Sequence, residues 1–181
     1  IEISGGRAAG AIGDVVITNP VNDGVLVSGN SDVDMDSITV NGGKYGMRMG
    51  SSAGGKITMT NVAFDNQSRD GVALDDMGVK MTGTISNATY CGLKVLSSSA
   101  DDWSFDGLTL ENNGVGATHQ GTGVLSLSDV TMSNNVVDAE LEGTAQMVFL
   151  EGVIDQNLVS VSDTAQLIRK RFSKILEQSY Q

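Results

Sequence analysis

Apolar-variable-apolar triplets recur along the chain at a nearly constant interval. Val33-Asp34-Met35, Ile57-Thr58-Met59, Val79-Lys80-Met81, Trp103-Ser104-Phe105, Leu125-Ser126-Leu127 and Met147-Val148-Phe149 begin 24, 22, 24, 22 and 22 residues apart. Alternation with period two marks a strand with one buried face. Its return every 22 to 24 residues predicts a stacked solenoid in which each repeat is one coil.

With these triplets as strand A, a second set follows a few residues later as strand B. It comprises Ile38-Thr39-Val40, Val62-Ala63-Phe64, Leu108-Thr109-Leu110 and Val130-Thr131-Met132, with Thr84-Ile85-Ser86 and Gly152-Val153-Ile154 as looser copies. A third set, strand C, opens with glycine in Gly24-Val25-Leu26-Val27, Gly46-Met47-Arg48-Met49, Gly71-Val72-Ala73-Leu74 and Gly92-Leu93-Lys94-Val95. It continues as Ala139-Glu140-Leu141 and Val159-Ser160-Val161, with the coil near Thr118 harder to align. No amphipathic ten-residue segment separates the triplets, so helical crossovers between parallel strands are excluded.

Between strands B and C, Asn19, Asn41, Asn66, Asn87, Asn112 and Asn134 recur, with Gln156 in the equivalent last place. Side chains stacked roughly 4.8 Å apart can donate to one neighbouring coil and accept from the other, which predicts an asparagine ladder. The competing reading is turn preference, since asparagine tolerates the left-handed conformation. A ladder would also bury the glycosylation sequons Asn66-Gln67-Ser68 and Asn87-Ala88-Thr89.

Triplets, asparagine column and opening glycine together resemble the right-handed parallel β-helix superfamily of pectate lyases, polygalacturonases, alginate epimerases, phage tailspikes and microbial surface proteins. The resemblance covers roughly residues 12 to 161. It implies an all-β, single-stranded right-handed parallel β-helix of about seven coils with three strands each. Residues 1–161 are expected to form this helix, its N-terminal coils or cap missing.

Residues 162–181 are expected to form a C-terminal cap or the start of a following segment. Asp163-Thr164-Ala165-Gln166 has the spacing of a helix capping box, and Ile168, Phe172, Ile175 and Leu176 share one helical face. This predicts a helix from about Thr164 to Gln178, with Arg169, Lys170, Arg171 and Lys174 outward. The alternative is a strand through Leu167–Leu176 leading into another domain. An uncapped solenoid end exposes backbone groups, so a homo-oligomer or a neighbouring domain is an expected partner.

Composition narrows the function classes. Against 22 acidic residues stand 11 basic ones, for a net charge of -11, which disfavours nucleic acid and anionic lipid as partners. No apolar run is long enough to insert into a membrane. The acidity fits an extracellular or cell or virion surface location. Cys91 stands alone, and His119, the sole histidine, falls in a loop after a weak strand, so no soft-ligand metal site can form.

In β-helix enzymes of the resembled superfamily, substrate lies along a parallel sheet and catalytic residues project outward from it. On strand C the outward positions are Leu26, Arg48, Ala73, Lys94, Glu140 and Ser160. Arg48, Lys94 and Glu140 are therefore the candidate substrate-binding residues, and Lys94 and Arg48 the candidate bases of a lyase. Asp75 and Asp76 are candidate oxygen ligands for calcium, the one cofactor considered; the competing reading of this group is a solvated charge pattern. Trp103 is expected in the core, and Thr39, Thr109 and Thr131 form an outward stripe able to touch ice or sugar. Two functions follow: a structural or carbohydrate-contacting module of a larger surface protein without catalysis, or the C-terminal part of a lyase, hydrolase or epimerase acting on acidic polysaccharide.

Overall fold

A computed structural model describes residues 1–4, 8–50, 54–75, 78–96, 104–154, 159–162 and 164–170. Its strands are β1 (Glu2–Ile3), β2 (Ala8–Thr18), β3 (Asp23–Val27), β4 (Asn30–Asn41), β5 (Tyr45–Met49), β6 (Gly54–Asp65) and β7 (Asp70–Leu74). They continue as β8 (Gly78–Ser86), β9 (Cys91–Val95), β10 (Ser104–Glu111), β11 (Val115–Ser133), β12 (Val137–Ile154), β13 (Val159–Val161) and β14 (Gln166–Lys170). Every pairing is parallel and joins neighbouring coils. The result is an all-β parallel solenoid of about six turns, one fewer than the repeat count suggests.

Strands A and B of each coil are one long strand, bent where a single residue turns left-handed. Asp14, Ser37, Asn61, Asp129 and Glu151 have positive φ at this bend, and Gly107 occupies it in the coil of β10. The coil of β8 is one residue shorter there, and the pairing shifts register on both sides. In consequence Gly83 takes the place held by Val62 and Leu108, and Ile85 rather than Thr84 points inward. In β11 and β12 strand C also runs on into strand A without a break.

The core consists of columns of like side chains. Phe64, Ile85, Leu110 and Met132 follow one another on consecutive coils, as do Met35, Met59, Met81, Phe105, Leu127 and Phe149, all buried. Burying each such side chain contributes about 1.5–3 kcal/mol, so stability accumulates coil by coil. His119 belongs to this interior rather than to a loop. Within β11 it stands in register between Val95 and Leu141, fully buried, with Nδ1 3.2 Å from the Gln146 carbonyl. Burial pushes its pKa below the usual value and the Gln146 contact opposes the shift.

The asparagine column divides into two. Asn19, Asn66, Asn87, Asn112 and Asn134 are left-handed and exposed, with Gly42 in the same place in the coil of β4. Asn41 lies one position earlier, paired with Thr18 and Asp65. These residues recur for turn geometry, and the sequon asparagines Asn66 and Asn87 are accessible rather than buried.

The buried ladder stands one residue further on, at Gln67, Asn113 and Asn135. Each amide nitrogen donates to a strand-B carbonyl of the preceding coil: Gln67 to Val40, Asn113 to Ile85, and Asn135 to Leu110. The Asn113 oxygen accepts from the Ala88 N–H and the Asn135 oxygen from the Asn113 N–H. Buried backbone groups at the turn are thereby satisfied.

Glycine opens strand C because the chain bends there against the core. A Cβ on Gly71 would lie 2.1 Å from Ile85 Cγ2, and one on Gly46 2.7 Å from the Phe64 ring. In β12 the same position is Asp138, a buried carboxylate that accepts from Asn135 Nδ2 at 3.2 Å.

The C-terminal segment departs from the expected helix. Gln166–Lys170 is a strand whose Gln146↔Gln166 to Leu150↔Lys170 pairing extends the β12 edge. Unpaired donors and acceptors on that edge favour addition of a further parallel strand. Asp163 of the proposed capping box, Gln156, Trp103 and residues 171–181 lie outside the described residues.

Candidate functional site

The positions of strand C that alternate with the core form one register-matched column: Leu26, Arg48, Ala73, Lys94, Thr118, Glu140 and Ser160, of which Ala73 and Thr118 are buried. Thr118 fills the place the sequence left open. Arg48 and Lys94 stand two strand spacings apart, about 10 Å, with the small Ala73 between them.

Arg48 is committed elsewhere. Its Nε and Nη2 bond Asp23 Oδ1 and Oδ2 of the preceding coil at 3.0 and 2.9 Å, a bidentate pair. The Asp23 hydrogen bond pushes the guanidinium pKa further up, despite opposition from burial. The pair holds Arg48 as a cation. Asp75 follows the end of β7, and Asp76 lies outside the described residues. Among the described residues no three His, Cys, Asp or Glu side chains gather to hold a metal.

Lys94 and Glu140 instead line a groove of about 940 Å³ on this face. Its other wall is the turn entering strand C. There the Arg69 N–H donates to the Lys44 carbonyl and the Tyr90 N–H to the Arg69 carbonyl, so the three follow one another on consecutive coils. One position further along the chain, Tyr45, Asp70, Cys91, Val115 and Val137 make the parallel column. Lys44, Arg69, Lys94, Tyr90, Gln120, Glu140 and the exposed valines Val21 and Val136 all reach the groove.

Tyr45 anchors the basic end. Lys44 Nζ lies 5.7 Å from its ring centroid, and the guanidinium carbons of Arg48 and Arg69 each lie 5.5 Å away. Such contacts contribute about 0.5–1 kcal/mol each at exposed sites and hold the cations in place. Asp70, almost fully buried, accepts from the Cys91 N–H at 3.2 Å and pairs with Arg69 at 3.5 Å. Tyr90, by contrast, is 61% exposed and lines the groove.

Cys91 borders the groove but is not a reactive thiol. It is buried, its Sγ lies 3.3 Å from Thr118 Oγ1, and burial pushes its pKa up although the Thr118 contact opposes this. Lys94 and Glu140, which the strand-C register singles out, line this groove, whereas Tyr90, Arg69 and Lys44 lie on a turn, outside the strand alternation. The threonine stripe on strand B is real and one longer, with Thr84 between Ala63 and Thr109.

No helix among the described residues is long and apolar enough to cross a membrane. Neither a curated protein nor a solved structure matches the chain. A family model described as "Right handed beta helix region" matches residues 1–144. The column register and that match agree, and the chain belongs to the right-handed β-helix family.

Proposed function

We propose that the chain is a carbohydrate-contacting β-helix module of a larger extracellular or surface protein, without catalysis of its own. The observation that carries this reading is Tyr90, an exposed ring in a concave groove among Lys44, Arg69, Lys94, Gln120 and Glu140. A flat aromatic face flanked by hydrogen-bonding side chains suits a sugar, whose ring offers C–H groups on its faces and hydroxyls at its edge. The net charge of -11 supports a surface setting and argues against nucleic acid. Calorimetric titration of neutral and acidic oligosaccharides tests it. Binding is expected with at least one class and is lost in Tyr90→Ala; no heat with any sugar refutes it.

The second reading, the C-terminal part of a lyase, hydrolase or epimerase on acidic polysaccharide, is favoured by the presence of Lys94 in the same groove. With Arg48 fixed by Asp23, Lys94 would be its base. A screen of uronate polymers for unsaturated-product absorbance, with Lys94→Ala as control, decides it: no signal on any polymer removes the lyase.

A further inference from the structure

Basic charge is confined to one part of the groove, where Val21 is also exposed. The basic side chains Lys44, Arg69 and Lys94 occupy the coils nearer the N-terminus. Past Tyr90, the wall becomes Gly114, Val115, Val136 and Val137, and the facing carboxylate is Glu140. Val136 is 73% exposed, and beside it Gly114 packs closely on the preceding turn, since a Cβ there would meet the Thr89 and Tyr90 carbonyls at 2.6 and 2.7 Å. The coils of Lys44 and Val136 are four strand spacings apart, about 19 Å along the axis, room for a short oligosaccharide rather than a single sugar.

We propose that this groove selects a glycan carrying both carboxylate and acetamido groups, held along the solenoid axis with a carboxylate among Lys44, Arg69 and Lys94. This rests on the carbohydrate reading above and names its ligand class. Asp23 and Asp70 already engage Arg48 and Arg69, so the ammonium groups of Lys44 and Lys94 supply most of the attraction for the carboxylate. Tyr90 stacks on the adjoining ring. The acetamido methyl packs on Val115 and Val136, and Glu140 and Gln120 take hydroxyl or amide N–H groups. A simple uronate polymer leaves the valines facing water, and a neutral acetylated one leaves the lysines without a counter-charge. Each half-match therefore loses one part of the attraction.

Four probes of equal length separate these contributions: hyaluronan, oligogalacturonate, chitin and cellulose oligosaccharides, which carry both groups, acid only, acetamido only and neither. Hyaluronan is expected to bind about tenfold more tightly than each of the others, a difference of about 1.4 kcal/mol. Its advantage over chitin should shrink as salt rises and in Lys94→Gln, whereas its advantage over oligogalacturonate should shrink in Val136→Ser. Equal affinity for cellulose and hyaluronan oligosaccharides overturns the proposal and leaves the carbohydrate reading standing. Binding of oligogalacturonate as tight as hyaluronan overturns the acetamido half, and an unchanged ranking in both variants overturns the assignment to this groove. Silence with all four refutes both the proposal and the reading beneath it.

Discussion

Asn113 donates to the side-chain oxygen of Asn135 twice, from its backbone N–H at 3.0 Å and from its amide nitrogen at 3.1 Å. Asn135 in turn donates to Leu110 of the preceding coil and to Asp138 of its own. One buried amide therefore satisfies groups on two coils, and its loss leaves the buried Asn113 backbone N–H without its acceptor. An unsatisfied buried polar group costs about 1–3 kcal/mol. Asn135→Leu is expected to lower unfolding free energy by at least about 2 kcal/mol in urea titration, whereas the exposed turn residue Asn134→Gly, already left-handed, should change it by under about 0.5 kcal/mol. Equal losses in the two variants would show that burial of the amide does not matter.

The glycine column gives a second contrast. A methyl at Gly71 meets Ile85 Cγ2 at 2.1 Å and the Gly92 carbonyl at 2.8 Å, both within the packed interior. At Gly10 nothing lies within 4 Å. Gly71→Ala should therefore destabilise by about 1–3 kcal/mol through overpacking, while Gly10→Ala should be neutral or stabilising by up to about 1 kcal/mol. Thermal melts of both variants measure this directly.

These particulars also show why the fold was legible and part of the site was not. A two-residue alternation returning every 22 to 24 residues survives in the sequence because each inward position must be apolar in every coil. The strand-C column could be aligned the same way, which brought Lys94 and Glu140 out. The exposed asparagines recur conspicuously since each coil needs a left-handed turn there, but the buried amides do not. Their position reads Gly43, Gln67, Ala88, Asn113 and Asn135 in successive coils, too varied for a repeat to reveal. Tyr90, Arg69 and Lys44 meet only through stacking of turns of unequal length. At Gln166–Lys170 an amphipathic pattern was real, but a free edge of backbone donors on β12 outweighed helical propensity.

The pair of Arg48 with Asp23 is bidentate, yet Arg48 is 41% exposed, so solvent screening limits its contribution. A double-mutant cycle of Arg48→Ala and Asp23→Ala is expected to yield a coupling of about 0.5–1 kcal/mol. Arg48→Lys should recover less than half of it, since an ammonium cannot engage both carboxylate oxygens at once. Full recovery by lysine would mean that charge alone, and not fork geometry, holds the pair.

His119 provides the pH dependence. The unfolded chain titrates near the ordinary histidine value of about 6.5, and in the fold burial lowers the pKa below that. Between the two values the unfolded state binds the proton and the folded state does not, so stability is complete above about pH 6.5 and falls as the solution is acidified through this range. With a single histidine in the chain, no other imidazole contributes to this window. Unfolding free energy measured from pH 8 to pH 5 should decline, and His119→Leu, which continues the aliphatic column between Val95 and Leu141, should flatten the curve over that interval. A decline of equal slope in the variant would place its origin in carboxylates rather than in the buried imidazole.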